Sequence, residues 1–423
     1  MKDSEIKHQP SCKDENQTGL LSVTEAQARI LDGVAAVTGT ETLPVRDALG
    51  RVLAQAVTSP IDVPSHTNSA MDGYAVRAAD LPADGVVEFP VPGTSWAGRP
   101  WLAAIEPGQA VQIMTGGMMP EGADTVIMQE HVEREGDTVR IGGGHKPGQN
   151  VRAAGEDVTT GATVFTAGKR LTSADIGVLA SLGFAEVTVY RRPRVAFFST
   201  GDELRGVGEP LGPGEIYDSN RYTLFAMLKR LDVEINDMGV VRDKRELIEQ
   251  AFREAAASAD AIITSGGVSV GEADFVKETL EALGSMSFWK IAMKPGRPVT
   301  FGHIDDAVFF GLPGNPVSVM VTFFQFVRSA LLKMSGEADP QPIYTVMAHT
   351  TSALRKRPGR YEFQRGVLEQ SAPGEFTVRS AGAQGSGILR SMSEANCFIM
   401  LEPDQSGIEA GQPVLVQPFQ NLI

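Results

Sequence analysis

The chain has 423 residues, 42% of them hydrophobic, and a formal net charge of −14 at pH 7. That is enough apolar material for packed cores in about two to four domains, and the acidic balance argues against nonspecific binding to nucleic acid or to an anionic membrane. Cys12 and Cys397 have no ligand spacing, which leaves no disulfide framework or zinc site; the first twenty residues lack a signal-peptide core, no stretch approaches the ~20 apolar residues of a membrane span, and a cytoplasmic protein is expected.

Residues 1–20 read as a loose tail. Ser22 to Glu25 has capping-box spacing and predicts a helix to about Val37. Asp47 is expected to cap a short helical turn. Prolines 60 and 64 and Gly73 make 59–81 a loop that turns into a strand around Tyr74–Val76. Asp72, just before Gly73, suits a turn residue better than a functional one on pattern alone. Between 85 and 143 come short alternating runs, VVEFPV, AVQIMTG, DTVIMQEHV and DTVRIGG, split by Pro, Gly and Asp turns. They read as a small inserted β domain. Residues 149–157 return to loop, and Leu171–Gly183 predicts a helix started by Thr172 or Ser173 and stopped by Gly183.

From Arg194 the texture becomes strand–helix alternation. VAFFST, VEINDMGVV, ADAIIT, SFWKIAMKPG and AVFFGLPG read as strands. Helices are predicted over Asn220–Leu231, over RDKRELIEQAFREAA with Asp243 and Glu246 at capping spacing, over FVKETLEAL, and over Pro316–Met334. This pattern implies a parallel sheet covered on both faces, with ligands at the carboxyl ends of its strands. Five loops qualify: Ser199–Glu203, Val241–Asp243, Ser265–Asp274, Lys294–Pro298 and Gly311–Pro316. After Asp339-Pro340 the alternation stops, and short strand-like runs predict a C-terminal β barrel or sandwich.

The loop SGGVSVGEAD, Ser265 to Asp274, is the most informative. Glycines at 266, 267 and 271 allow close backbone approach. Consecutive N–H groups feeding a helix make an anion cradle, to which Ser265 and Ser269 add hydroxyls and Glu272 and Asp274 add carboxylates. Such a pocket suits a phosphorylated substrate held through a cation. Asp274 equally suits an N-cap, and on this stretch alone a functional loop and a plain turn stand level. The neighbouring loops add Asp202, Glu203 and Asp243 on one side and Lys290, Lys294 and Arg297 on the other. Carboxylates suit a hard cation such as Mg²⁺, and Lys and Arg suit an oxyanion or phosphate. The six histidines fall mainly in loops outside this set, so a Ser–His–Asp reading is poor.

Nine blocks in order then carry a resemblance: SAMDGYAVR (69–77), MTGGMMPEGAD (114–124), GQNVRAAGED (148–157), FSTGDEL (198–204), IYDSNRY (216–222), TSGGVSVGEAD (264–274), KPGRP (294–298), GLPGNPVS (311–318) and EFQRG (362–366). Together they resemble the MoeA family of molybdopterin molybdenumtransferases, related to the E domain of gephyrin. The resemblance runs from about residue 20 to the end. It implies insertion of molybdate into adenylylated molybdopterin, with hydrolysis and release of AMP, dependent on Mg²⁺. It implies a homodimer, with the adenylyltransferase and cofactor-accepting enzymes as further partners, and a site between the α/β domain of one subunit and the small domains of the other. Carried over by motif, Asp274, Asp243 and Glu203 are the acidic residues that serve catalysis and the metal, and Asp72 and Thr115 face the same cleft. Ser265, Gly266, Gly267 and Ser269 belong to the cradle. Lys290, Lys294, Arg297, Pro313, Pro316, Ser318, Arg365 and Ser386 match the oxyanion and pterin-phosphate side, with Ser391 near Ser386. KPGR stands where relatives often have KPGK, which keeps a cation at 297.

The expected architecture is a multidomain α/β and β protein. A discontinuous linker domain spans 21–57 and 150–191, a small β domain is inserted at 58–149, a doubly wound, Rossmann-like molybdopterin-binding domain spans 192–338, and a barrel-like β domain follows at 339–423. Two rival readings are a molybdopterin adenylyltransferase, which shares the α/β fold but has a GGTG-type loop and no flanking domains, and a gephyrin-like scaffold, which need not retain the acidic and basic set.

Overall fold

The computed structural model describes residues 20–266, 275–340 and 343–419. Its contacts divide the chain into two compact units, Thr42–Val189 and Met1–Glu41 with Tyr190–Ile423. Helix α1 (Val23–Asp32) opens with the expected capping box: the Glu25 N–H donates to the Ser22 hydroxyl at 3.1 Å, and the Ser22 N–H donates to the Glu25 carboxylate at 2.9 Å. It stops at Gly33, short of Val37. Ala26 and Ile30 are buried in the core of the second-named unit, and Leu21 exchanges hydrogen bonds with Lys290 and Ala292.

Within Thr42–Val189, β1 (Gly73–Val76) lies inside a four-stranded sheet with β2 (Thr94–Ser95), β3 (Val111–Ile113) and β4 (Thr125–Met128), in the order β2-β3-β1-β4. A three-stranded antiparallel sheet joins Val86–Pro90, Thr138–Gly142 and Val132–Glu135. Tyr74, Val76, Phe89, Ile127, Val139 and Ile141 fill one core between them. Helix α2 (Ser173–Ser181) starts from a Thr172–Asp175 capping box. Asp47 closes a short 3₁₀ turn, Val45–Asp47, whose N-cap is Pro44; it does not cap it.

The other unit is built on a six-stranded sheet. Its elements are β5 (Arg194–Thr200), α3 (Ser219–Lys229), β6 (Glu234–Val241), α4 (Arg245–Ser258), β7 (Ala261–Ser265), α5 (Phe275–Leu283), β8 (Gly284–Lys290), β9 (Met293–Lys294), β10 (Pro298–Ile304) and β11 (Ala307–Leu312). The sheet order is β6-β5-β7-β11-β10-β8. The first four strands are parallel, as alternation requires, but β10 runs antiparallel to both neighbours. Alternate residues feed two cores. Val195, Phe197, Ile263 and Phe310 pack with α1, α3 and the Pro316–Met334 helix, while Ala196, Phe198, Ile262 and Phe309 pack with Ile248, Phe252 and Leu280 of α4 and α5. Both faces are therefore apolar, which is why the strands read as continuous hydrophobic runs.

The long helix after β11 comprises α6 (Pro316–Thr322), a π-helical stretch Phe323–Val327 and α7 (Arg328–Met334). Nearly all of its side chains are buried, so its apolarity is that of a core helix. Phe324 meets Phe398 and Phe419 edge-on, at ring-centre distances of 5.4 and 6.1 Å. The C-terminal strands are β12 (Val346–Thr350), β13 (Tyr361–Ala372), β14 (Glu375–Ser380), β15 (Cys397–Leu401) and β16 (Pro413–Pro418), with α8 (Arg390–Glu394) before β15. They run in the order β13-β14-β12-β16-β15, and β15 pairs back onto β13, closing the sheet like a barrel. Strand β9 adds to the same sheet beside β13.

Candidate active site

The carboxyl ends of the parallel strands are set in register: Ser199 stands opposite Ser265, Thr200 opposite Val241, and Ser265 opposite Leu312. Because β10 and β8 reverse direction twice, Lys290 at the end of β8 pairs with Pro298 at the start of β10, while Thr300 pairs with Gly311. The turn carrying Lys294 and Arg297 therefore opens on the same edge as the parallel-strand loops. Glu203, Asp243, Ser265, Gly266, Lys290, Lys294, Arg297, Pro313 and Pro316 all belong to that edge. Gly267, Ser269 and Asp274 lie outside the described residues.

Three loops are tied together at its centre. The Asn220 side-chain amide donates to Ser265 Oγ at 2.8 Å and to the Gly314 carbonyl at 2.7 Å. Gly266, at φ +92°, donates its N–H to the Leu312 carbonyl at 3.2 Å. Around this knot, Ser199 Oγ, Thr200 Oγ1, Thr264 Oγ1, Asp218 Oδ2 and Asn220 Oδ1 are buried without a hydrogen-bond partner among the described residues. One such orphan is common; five at neighbouring strand and helix ends mark a place suited to polar partners such as solvent or a ligand. Asn220 and Asp218 both sit in IYDSNRY, yet neither stood out as a site residue, because a polar residue opening a helix reads as a cap. Asp218 is indeed the N-cap of α3.

On the acidic side, the Asp243 N–H donates to Asp202 Oδ1 at 3.3 Å. Partial withdrawal from water, then the Asp202 and Glu203 charges, push the Asp243 carboxyl above its ordinary range. Asp243 does not cap α4, whose N-cap is Lys244 without a side-chain bond. Among the described residues no group of three His, Cys, Asp or Glu side chains stands at metal-binding spacing.

On the basic side, Lys294 Nζ donates to Glu362 Oε1 at 3.1 Å. The Arg297 Nε is buried and has no hydrogen-bond partner among the described residues. Gly296, at φ +98°, comes so close to α6 that a Cβ would stand 2.6 Å from Thr322 Cγ2. Ser318 is buried in the first turn of α6, and the Val317 N–H donates to the Ser386 carbonyl at 3.0 Å. Arg365 is 1% exposed: its Nε donates to Ser391 Oγ at 3.1 Å, and its Nη2 to the Ala383 and Gly385 carbonyls. Burial pulls its pKa down to about 10. Arg365 thus anchors the 383–391 loop over the start of α6, with Ser391, rather than Ser386, in direct contact.

In the other unit, Asp72 Oδ1 accepts from both the N–H and the Oγ1 of Thr115, each at 2.7 Å. The Thr115 hydroxyl, then its N–H, hold the Asp72 carboxyl below the usual carboxylate range. The pairing of Gly73 with Ile113 brings the two together. Only glycine fits at 73, where a Cβ would meet the Ile127 carbonyl oxygen.

Residues 21–183 match the family described as MoeA N-terminal region (domain I and II), 196–333 the probable molybdopterin binding domain, and 347–419 the MoeA C-terminal region (domain IV). A molybdopterin molybdenumtransferase of Haemophilus influenzae is 45% identical over 96% of this chain and 100% of its own length. The chain belongs to the MoeA family. Beyond that relative, a gephyrin of Dictyostelium discoideum is 31% identical over 90% of this chain and 60% of its own length. The crystal structure of a molybdopterin biosynthesis moeA protein from Pyrococcus horikoshii superposes with a TM-score of 0.82 at 31% identity, covering 94% of this chain and all of that one. MoeA membership accounts for the closed C-terminal sheet as well as for the α/β unit.

Proposed function

We propose that this chain is a molybdopterin molybdenumtransferase of molybdenum cofactor biosynthesis, which inserts molybdate into adenylylated molybdopterin and releases AMP. The observation that carries the reading is the meeting, on one sheet edge, of carboxylates, cations and unsatisfied buried polar groups. In this reading the orphaned hydroxyls of Ser199, Thr200 and Thr264 donate to the phosphate-bearing substrate, the Asn220 amide oxygen accepts from one of its N–H or O–H groups, and Lys290, Lys294, Arg297 and Ser318 bind the oxyanion. Arg365 supports that side by holding the 383–391 loop. The phosphoanhydride bond is hydrolysed, water supplying the new P–O bond as AMP departs. Adenylyl transfer and scaffolding are the less favoured readings, since the acidic and basic sets are both kept.

The donor set suits Mg²⁺, which takes oxygen ligands, keeps several waters and needs only one or two carboxylates. Glu203 and Asp243, with Asp274, would hold it, and the like charge that crowds Asp243 is what a cation would relieve. Bound there, it would neutralise charge on the phosphoanhydride. The protein acts as a homodimer in this reading, with Asp72 and Thr115 serving the site. Tyr222 and Phe225, three residues apart on α3 and both half-exposed, supply apolar surface for self-association.

The test is to add molybdate and Mg²⁺ to purified protein with adenylylated molybdopterin and to measure AMP. Molybdate-dependent AMP release is expected; its absence from folded protein would reject the activity. Light scattering at micromolar concentration is expected to give twice the chain mass, and monomer mass alone would reject the dimer.

A further inference from the structure

We propose that Glu362 is a positioning residue for the oxyanion, acting through Lys294. The inference rests on the oxyanion reading of Lys294. Strand β9 runs parallel to β13 with Lys294 opposite Glu362, so backbone pairing brings the two side chains together. The resulting ion pair is lopsided: the Glu362 side chain is 6% exposed and the Lys294 side chain 48%.

The carboxylate end is fixed. Glu362 Oε2 accepts from Gln364 Nε2 at 3.1 Å, and the same nitrogen donates to the Arg355 carbonyl at 2.9 Å. Glu362 is therefore a buried strut with one oxygen tethered to its own sheet and the other to the ammonium. A lysine side chain carries much rotamer freedom, which a ligand must otherwise suppress on binding. Glu362 has already restricted it, using one of the three ammonium donors and leaving the others for an incoming oxyanion.

A carboxylate so close also has the opposite potential effect, because it offsets the lysine charge and repels a dianion. The two effects predict opposite signs on removal. Burial and the tether favour the first: a carboxylate held by Gln364 within the sheet fixes the ammonium in one place, which a mobile surface acid would not do.

The experiment measures AMP release against molybdate concentration, and separately against adenylylated molybdopterin, for wild type, Glu362→Gln, Lys294→Ala and the double variant. Glu362→Gln is expected to raise the KM for molybdate by about tenfold, with the pterin KM and kcat changed much less. The double variant is expected to match Lys294→Ala, since both changes disable one group. A lowered molybdate KM in Glu362→Gln, or effects that multiply in the double variant, would overturn the inference. If Lys294→Ala is impaired while Glu362→Gln behaves as wild type, the inference fails alone. Wild-type molybdate dependence in Lys294→Ala would remove the reading beneath it as well. Gln364→Met, which frees Glu362 Oε2 without touching either charge, keeps the test available should Glu362→Gln fail to fold. It is expected to raise the molybdate KM by a smaller factor, again not beyond Lys294→Ala when combined with it, and an unchanged KM would count against the strut.

Discussion

A Cβ at Gly266 would stand 2.8 Å from the Thr200 carbonyl oxygen, so the first glycine of the central loop is held against the end of the neighbouring strand. Its φ of +92° adds a second demand that only glycine meets cheaply. Gly266→Ala is expected to cost about 1–3 kcal/mol through the backbone conformation alone, and more through the contact with main chain. Thermal unfolding would show a lowered Tm, and AMP release should fall further than stability does. A variant with wild-type Tm would show that the loop relaxes without loss.

Asn220 holds two loops with one amide. Asn220→Ala deletes both bonds and is expected to destabilise by roughly 1–3 kcal/mol, at about 0.5–1.5 kcal/mol per hydrogen bond. The larger effect should fall on the substrate side, because Ser265 and Gly314 lose their common tether. Hydrogen exchange over 312–316 is expected to quicken, and unchanged exchange there would deny Asn220 the role of clamp.

Asp243 is a site of stored electrostatic tension. Its carboxyl binds a proton more readily in the folded chain than in the unfolded one. Stability therefore falls as pH rises from the usual carboxylate range through the raised folded value. Without divalent cation, Asp243→Asn should leave Tm unchanged near pH 4, the approximate range of an unfolded aspartate, and raise it at neutral pH. AMP release should fall by about 10²–10⁴-fold if the carboxylate serves catalysis. A Tm lowered at neutral pH would contradict the burial and like-charge crowding assigned to this carboxyl.

The Asp72–Thr115 pair has the opposite sign. Thr115 favours the ionised carboxylate, so its contribution is present above the ordinary aspartate range and is lost as pH falls through the lowered folded value. Thr115→Val keeps the backbone donor and removes the hydroxyl. The gap in Tm between wild type and variant is expected to be widest at neutral pH and to close in acid. A gap independent of pH would trace the effect to packing instead.

Local signals in the sequence translated well where one residue pattern has one physical meaning. Ser22–Glu25 forms the capping box its spacing announces, and α2 takes Thr172, one of its two candidate starts, as N-cap. Buried strands such as Ala261–Ser265 follow from a short apolar run that ends in glycine. Asp243 and Glu246 show the limit: the spacing suits a cap, but the helix takes Lys244 as its N-cap, and Asp243 is instead partly buried beside the Asp202 and Glu203 charges. The antiparallel return through β10 was not legible: Pro295-Gly296 marks a turn, but a turn alone does not say that the next strand comes back along the same sheet and so brings Lys290 and Arg297 to the working edge. Glu362 was hidden for another reason. In EFQRG it reads as an ordinary polar position of a strand, and only the pairing with β9 gives it a partner.

That pairing has a bearing on modularity. The segment Met293–Lys294 is covalently part of the α/β fold but is hydrogen-bonded as a strand of the C-terminal sheet, and Phe363, Phe398 and Phe419 share a core with Phe324 and Met293. The C-terminal domain therefore cannot be cut away or exchanged as a cassette without opening a bare strand edge and exposing aromatic surface. A chain truncated near residue 340 should aggregate, and a chimera carrying a relative's C-terminal domain should work only if it brings a β13 whose side chains suit the resident KPGR turn.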